Sequence, residues 1–412
     1  MAHTHLITGL DVGTTKVCAV VAEVGSDSQP KVIGAGISPC AGLRRGVVVD
    51  LESTTSAIRD AVGKAERMAG AEVHSALVGV TGEHIASLNS RSVVAITHPV
   101  SEVSQSDVDR LLDSARVIVL PPDREIIHAI PRWYSVDGQI GVRSPVGMYG
   151  NRLEVETHIV TGLSSFIQNV VKCVYMAGLS VEATILEPVA TGESVLFPAE
   201  KELGVALADI GGGTSDVAIY MNGQIYHSAA VPVGGNHVTR DIAIGLRAAI
   251  EEAERVKLEH GCALLNGDDG QEPFEVTSLG STEARRLPKR VLAEIIEPRM
   301  SEICQLVMGQ VEKAGCEDRI AAGLVLTGGG SQLEGLPELA LRVTGLPARI
   351  GLPGGVSGLV DAVGSPSCAT AVGLILFWVR YYPEHIAEGD GGISLQGVVK
   401  RIRELFARIG GE

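Results

Sequence analysis

The chain has 412 residues, more than one core of common size can organise, so two or more domains are expected. Hydrophobic residues make up 45% and charged residues 20%, which excludes a disordered chain. Aromatics at 3% and a formal charge of −15 argue against a base-stacking nucleic-acid binder, and 50 glycines suit an α/β protein with many tight turns.

Taken in order, Leu6–Asp11 and Lys16–Val24 read as two apolar strands around a Gly/Thr turn. Leu51–Met68 carries helical spacing, and Ala76–Val80 is a short buried strand. Residues 83–161 change texture: strands, one amphipathic helix over Ser106–Val117 behind a polar cap, and a Pro/Gly-rich stretch, as an inserted module would show. Ser164–Met176 (helix), Val181–Ile185 (strand) and Val189–Leu196 (helix) follow. A second hairpin opens at Val205–Asp209 and continues through Ser215–Met221. Helices are expected over Val238–Ile244, Ala248–Glu259 and Arg290–Ala314, then a buried strand Leu324–Thr327 ending in glycines, then a buried helix Thr370–Tyr381. The apolar run Cys368–Val379 is too short to span a bilayer, and no secretory signal is visible at the start. Seven cysteines without a C-x-x-C pair or metal-ligand spacing read as buried free thiols of a reducing compartment. His84, His128 and His158 likewise lack a metal spacing and default to structural roles.

Three glycine-rich turns carry the chemistry. The first is Asp11-Val-Gly13-Thr14-Thr15-Lys16 and the second Asp209-Ile-Gly211-Gly212-Gly213-Thr214-Ser215-Asp216, each between apolar strands, so one hairpin device occurs twice. Glycine lets backbone N–H groups approach phosphate oxygens, and the hydroxyls of Thr14, Thr15 and Thr214 add donors. Asp11 and Asp209 cannot bind phosphate but can hold the waters of a Mg²⁺ ion, which sheds its shell reluctantly. Lys16 can neutralise β- and γ-phosphates. The third turn, Gly328-Gly329-Gly330-Ser331 after Thr327, lets a flat nucleoside lie against backbone, while Glu254 and Lys257, one helical turn apart, can clasp ribose and base edge. Gly235 joins this nucleotide-binding set, and Asp209 or Asp216 could position an attacking water.

These three turns, in this order, resemble the phosphate-1, phosphate-2 and adenosine motifs of the actin/Hsp70/sugar-kinase superfamily. The fold class implied is α/β and actin-like: duplicated ribonuclease H-like lobes closing on ATP and Mg²⁺. Further stretches are similar to the FtsA family of bacterial cell-division proteins: Gly42-Leu-Arg-Arg-Gly46-Val-Val-Val-Asp50, Gly79-Val-Thr-Gly82-Glu-His84-Ile85, Arg124-Glu-Ile-Ile-His128-Ala-Ile-Pro131, Pro145-Val-Gly-Met148-Tyr-Gly150-Asn-Arg152-Leu-Glu154 and Glu297-Pro298-Arg299. That resemblance runs from about residue 5 to the end. It implies subdomain 1A over 5–82, 162–203 and 366–382, an inserted subdomain 1C over 83–161, subdomain 2A over 204–235 and 301–365, and subdomain 2B over 236–300. A linker, 383–394, and an amphipathic helix, 395–409, would complete the chain.

In that last segment Leu395, Val398, Val399, Ile402, Leu405, Phe406 and Ile409 form one apolar stripe, flanked by Lys400, Arg401, Arg403 and Arg408. A cationic amphipathic helix on an acidic chain suits an anionic membrane surface, lying in the interface rather than crossing it. Self-packing or a partner helix is the bland alternative. Arg285, Arg286, Lys289, Arg290 and Arg299 form a basic cluster, either a solvated face or a cradle for an acidic or C-terminal peptide. The family resemblance implies that this cradle receives the C-terminal peptide of the tubulin-like division protein FtsZ. It also implies actin-like filaments, other division proteins docking on subdomain 1C, and a place on the cytoplasmic face of the membrane at the division site. At most a slow ATPase serving assembly is expected, and no nucleic-acid partner. The competing readings are a pilus-assembly scaffold like PilM and a sugar-kinase-type phosphotransferase; a chaperone would need more chain after the ATPase core than the sequence provides.

Overall fold

A computed structural model describes residues 5–25, 29–97, 100–265, 270–280 and 283–381. The terminal helix expected over 395–409 lies outside the described residues.

Two sheets form the body, and they are built alike. In the first, the order runs Ser180–Leu186, Ser75–Val80, His5–Val12, Lys16–Val24, Lys31–Pro39, with the two-residue strand Ser357–Gly358 at the outer edge. In the second it runs Ala348–Ile350, Leu324–Thr327, Val205–Ile210, Ser215–Met221, Gln224–Val231. Each sheet opens with three antiparallel strands and adds two parallel ones on the other side of the first strand. The central strands Val205–Ile210 and Leu324–Thr327 are buried at every residue, as sheet strands covered on both faces must be. Leu10 and Ile58 fill one core of the first lobe and Leu77 belongs to another, while Ile210, Ile219 and Leu292 fill the core of the second lobe.

Local chemistry explains the main helix boundaries. Leu51–Ala69 starts where Asp50 accepts from the Ser53 N–H at 3.0 Å and ends at Gly70, whose φ of 65° favours glycine. Gln105–Arg116 starts at a Ser104/Asp107 capping box. Its strands Ala86–Ala95, Arg152–Leu163, Arg124–Val136 and Gln139–Val142 form a separate four-stranded antiparallel sheet. This sheet docks on the edge strand Gln224–Val231 of the second lobe. Buried His158 bonds Asn89 Oδ1 at 2.8 Å and Ser228 Oγ at 2.9 Å, and Ser87 Oγ donates to the Ser228 carbonyl at 2.7 Å. Burial pushes His158 down to about 3, so its ring is neutral. His128 is neutral for the same reason and accepts from the Leu186 N–H at 2.9 Å. His84 accepts from the Leu163 N–H at 3.2 Å, so all three histidines serve structure.

Candidate nucleotide site

Both glycine hairpins adopt the same closure. The Gly13 N–H donates to the Lys16 carbonyl at 2.9 Å, and the Gly211 N–H to the Thr214 carbonyl at 2.9 Å. The two turns meet tip to tip. A methyl group on Gly212 would collide with the Thr15 side chain, and one on Gly213 would lie 2.8 Å from Thr14 Oγ1 and 3.1 Å from the Arg45 nitrogen. Thr14 Oγ1 also accepts from the Gly46 N–H at 3.3 Å. The expected phosphate donors Thr14, Thr15, Gly212 and Gly213 therefore come together where the two turns touch. Thr214 is turned inward to hydrogen-bond Asp216, and the Lys16 ammonium donates to the Ser367 carbonyl at the wall of the site.

Four buried carboxyl groups gather beneath the turns. Asp209 Oδ2 accepts from Thr191 Oγ1 at 3.1 Å and Thr370 Oγ1 at 3.0 Å. Burial raises its affinity for a proton, and those two hydroxyls oppose the rise. Burial pushes Asp11 up to about 7; Lys16 opposes this, while Asp209 and Cys368 reinforce it. Asp216 is pushed to about 7 by burial, against the hydroxyls of Thr81 and Thr214 and with the charges of Asp209 and Asp11. Glu187 is raised well above the ordinary range by burial and then by Asp11, Asp216 and Asp209. Such crowding of acids away from water favours a bound cation or retained protons. Among the described residues no three His, Cys, Asp or Glu side chains converge as direct ligands of one ion.

The remaining predicted residues line the second lobe's side. The N–H groups of Gly235 and Asn236, at the start of helix Gly235–Leu246, donate to the carbonyls of Gly211 and Gly212 at 2.9 and 2.8 Å. Lys257 Nζ reaches the Gly235 carbonyl at 3.4 Å, Thr239 Oγ1 at 2.9 Å and Glu254 Oε2 at 2.7 Å. Glu254 and Lys257 thus stand as an ion pair at that helix start. In the third turn Gly328 has a φ of 83° and packs so closely that a methyl group would overlap the Asp209 carboxylate. Gly330 packs on Ile210, and the buried Ser331 hydroxyl donates back to the Gly328 carbonyl at 2.8 Å.

Sequence reasoning missed Glu187, Thr191 and Thr370. Glu187 had a signal, as a lone acid inside the apolar run Ile185–Ala190. The two threonines had none, since their partner Asp209 is set by the fold alone.

The basic cluster divides. Arg285 donates to the Leu246 carbonyl at 2.7 Å, and Arg286 pairs with Glu275 at 2.8 Å across their hairpin. Lys289 pairs with Glu334 at 3.0 Å and Arg290 with Glu294 at 3.4 Å. Arg299 lies about 13 Å farther along the helix Lys289–Lys313, held by Asp241 at 2.7 Å and by Glu302. The set expected to bind the membrane, Val398, Val399, Lys400, Arg401, Ile402, Arg403, Leu405, Phe406, Arg408 and Ile409, lies outside the described residues.

Residues 206–373 match the family model described as cell division protein FtsA, and residues 82–161 match the SHS2 domain inserted in FtsA. The cell division protein FtsA of Pseudomonas aeruginosa is 44% identical, covering 94% of this chain and 93% of that one. Among solved structures, the PilM–PilN type IV pilus biogenesis complex superposes with a TM-score of 0.64 at 18% identity, covering 90% of this chain and 98% of that one. MreB 5 of Spiroplasma citri bound to AMPPNP superposes with a TM-score of 0.55 at 17% identity, covering 94% and 100%. The distant pair shows an actin-like fold; the first relative separates this chain from a pilus scaffold or a sugar kinase. The chain belongs to the FtsA family of cell division proteins.

Proposed function

We propose that this chain binds Mg-ATP between its two hairpin turns, polymerises, and links FtsZ filaments to the inner face of the cytoplasmic membrane. The observation that carries the nucleotide reading is the meeting of the two turns over buried Asp11 and Asp209. Glycine backbone and threonine hydroxyls would supply phosphate donors there, and the two carboxylates suit the water shell of a cation that keeps its waters. A bound Mg²⁺ would supply charge neutralisation for the phosphates. Asp11 and Asp209 would orient its water shell, Lys16 would add a positive charge, and Glu254 with Lys257 would hold the nucleoside. Asp209 or Asp216 would orient the attacking water, with the neighbouring Glu187 a further candidate, and hydrolysis would be slow and serve assembly.

The same reading assigns residues 83–161 to a module that receives other division proteins, and residues 236–300 to an outer subdomain whose Arg285, Arg286, Lys289, Arg290 and Arg299 engage the acidic FtsZ tail. Four of those cations already hold acids, so a peptide carboxylate would exchange with an existing partner. Residues 395–409 would lie on anionic lipid, each copy weakly, with filament avidity making attachment firm. No helix among the described residues is long and apolar enough to cross a membrane.

Liposome co-sedimentation tests the proposal. Full chain and a chain truncated after Ser394 are mixed with anionic vesicles, with and without Mg-ATP, and with an FtsZ tail peptide. Pelleting of the full chain together with the peptide, lost on truncation, is expected. If both forms stay in the supernatant, the tether reading fails.

A further inference from the structure

The inserted four-stranded sheet is tied to both lobes, and unequally. On the first-lobe side its strand Arg152–Leu163 runs straight into the helix Ser164–Met176, and buried His128 accepts the Leu186 N–H at 2.9 Å from the edge of the first sheet. Arg124 adds a bond to the His84 carbonyl at 2.9 Å. On the second-lobe side, among the described residues, no strand ladder joins the sheet to Gln224–Val231. Side chains make that contact instead. His158 Nε2 meets Ser228 Oγ at 2.9 Å, and Ser87 Oγ donates to the Ser228 carbonyl at 2.7 Å. The Arg132 guanidinium, paired with Glu156 and only 7% exposed, lies 3.8 Å from the centre of the Tyr226 ring. Arg143 pairs at 2.7 Å with Glu202, on the helix Pro198–Leu203 that leads into Val205–Ile210.

We propose that the inserted sheet is a latch across the two lobes, and that its contacts with Tyr226 and Ser228 must break before nucleotide can enter or leave. The proposal rests on the nucleotide reading above. The two glycine turns touch so closely that a methyl group on Gly212 would collide with the Thr15 side chain. A phosphate chain therefore reaches the donors of both turns only when the lobes part, a hinge motion. The first lobe carries the inserted sheet with it through a continuous strand. The second lobe separates from that sheet once a small set of side-chain contacts gives way, so the cost of opening is concentrated at Gln224–Val231.

A latch of this kind leaves a kinetic signature. Ser87, Arg132, His158, Tyr226 and Ser228 are not among the nucleotide-binding residues, so they act on opening and not on the ligand. Contacts that hold the lobes together equally with and without nucleotide slow entry and exit by the same factor, and the equilibrium affinity stays where it was. A residue that touches the ligand changes the affinity instead. The contact over Tyr226 weighs most, because a cation taken out of water is held by a ring face more firmly than an exposed one.

The test uses the full chain and two variants. Tyr226→Leu keeps apolar bulk and removes the ring beneath Arg132; Ser87→Ala is a mild change at a half-buried position that removes one bond to the Ser228 carbonyl. Association and dissociation of a fluorescent ATP analogue with Mg²⁺ are followed by stopped flow, and their ratio gives the affinity. Both rates should rise together, on the order of fivefold in Tyr226→Leu and about threefold in Ser87→Ala, with affinity within about twofold of wild type. Rates unchanged in both variants overturn the latch. Faster dissociation alone, with affinity falling to match, also overturns it, because the residues would then act on the bound ligand. Should Tyr226→Leu fail to fold, Ser87→Ala decides on the same readout. If the wild-type chain binds no ATP analogue, the nucleotide reading itself has failed, and the latch falls with it for want of a ligand to gate.

Discussion

Asp216→Asn isolates the electrostatic strain of the site. Asp216 is buried, accepts a hydrogen bond from Thr81, and is pushed from the ordinary carboxyl value of 3.8 to about 7, chiefly by burial. A carboxyl group whose folded pKa is raised stabilises the fold below its unfolded pKa, and that stability is lost as pH rises through the folded value. The window here is therefore about pH 4 to 7. Multiplying the rise by RT ln 10 per pH unit gives a ceiling of about 4 kcal/mol. Asp11 titrates against Asp216 in the same cluster, so removing one charge relieves both, and an effect of about 2–4 kcal/mol is expected. Asparagine keeps an acceptor for Thr81 and carries no charge. Urea denaturation of the nucleotide-free chain from pH 5 to pH 8 should show wild-type stability falling across the range and the variant's falling much less. At pH 8 the variant should be the more stable protein while binding Mg-ATP more weakly. A variant less stable than wild type at pH 8, with parallel pH profiles, would refute the claim that buried charge crowds this site.

Three further perturbations probe other parts of the molecule. Gly328→Ala places a methyl group in the Asp209 carboxylate at a φ of 83°, so urea denaturation should show a loss of at least about 2 kcal/mol; an unchanged midpoint would contradict the packing. Lys257→Met should lower nucleotide affinity roughly tenfold by titration with a fluorescent ATP analogue, with thermal stability little changed; equal affinity would remove Lys257 from the site. His158→Phe removes the buried bonds to Asn89 and Ser228, a cost of about 2–3 kcal/mol. Hydrogen exchange should speed up in Gln224–Val231, and unaltered protection there would show that the inserted sheet is held by other contacts.

Both hairpins were readable because apolar runs flank a turn whose glycines and threonines have few other uses. The strand Lys31–Pro39 is hidden in the sequence, since Gly34 and Gly36 dilute its β signal. Those glycines are needed: methyl groups there would strike the carbonyls of Ala65 and Ala61 on the helix packed across the sheet. Ala86–Ala95 is polar and half exposed, so its sequence, Ser-Leu-Asn-Ser-Arg-Ser, shows little of the pairing that ten rungs with Arg152–Leu163 provide. Glu187 and Thr191 lie one turn apart on the helix Glu187–Val195, whereas Thr370 comes from the distant helix Ala369–Tyr381, so no local pattern unites all three. In the basic cluster the charges were visible and their acids were not. Glu334 and Asp241 come from other elements, so the sequence shows a basic cluster, read as a solvated face or a peptide cradle, where the fold has ion pairs.

The duplication also shows where the site's polarity comes from. The two sheets share strand order and the two hairpins share closure, so equivalent positions can be read across. Asp11 corresponds to Asp209. The residue whose carbonyl closes the turn is Lys16 in the first lobe and Thr214 in the second. The ladder partner of the leading aspartate is Cys18 in the first and Asp216 in the second. One hairpin therefore brings an ammonium and a thiol where the other brings a hydroxyl and a carboxylate. A symmetric pair of hairpins would present the same groups to both sides of a bound ligand. Here the fixed positive charge belongs to the first lobe, and the second carries the additional acid. On the proposed reading, a phosphate chain neutralised by Lys16, with a hydrated cation between Asp11 and Asp209 and the additional acid Asp216 on the second side, would satisfy both sides in one orientation only. The fold provides the cleft, and the divergence of these two pairs of residues gives it direction.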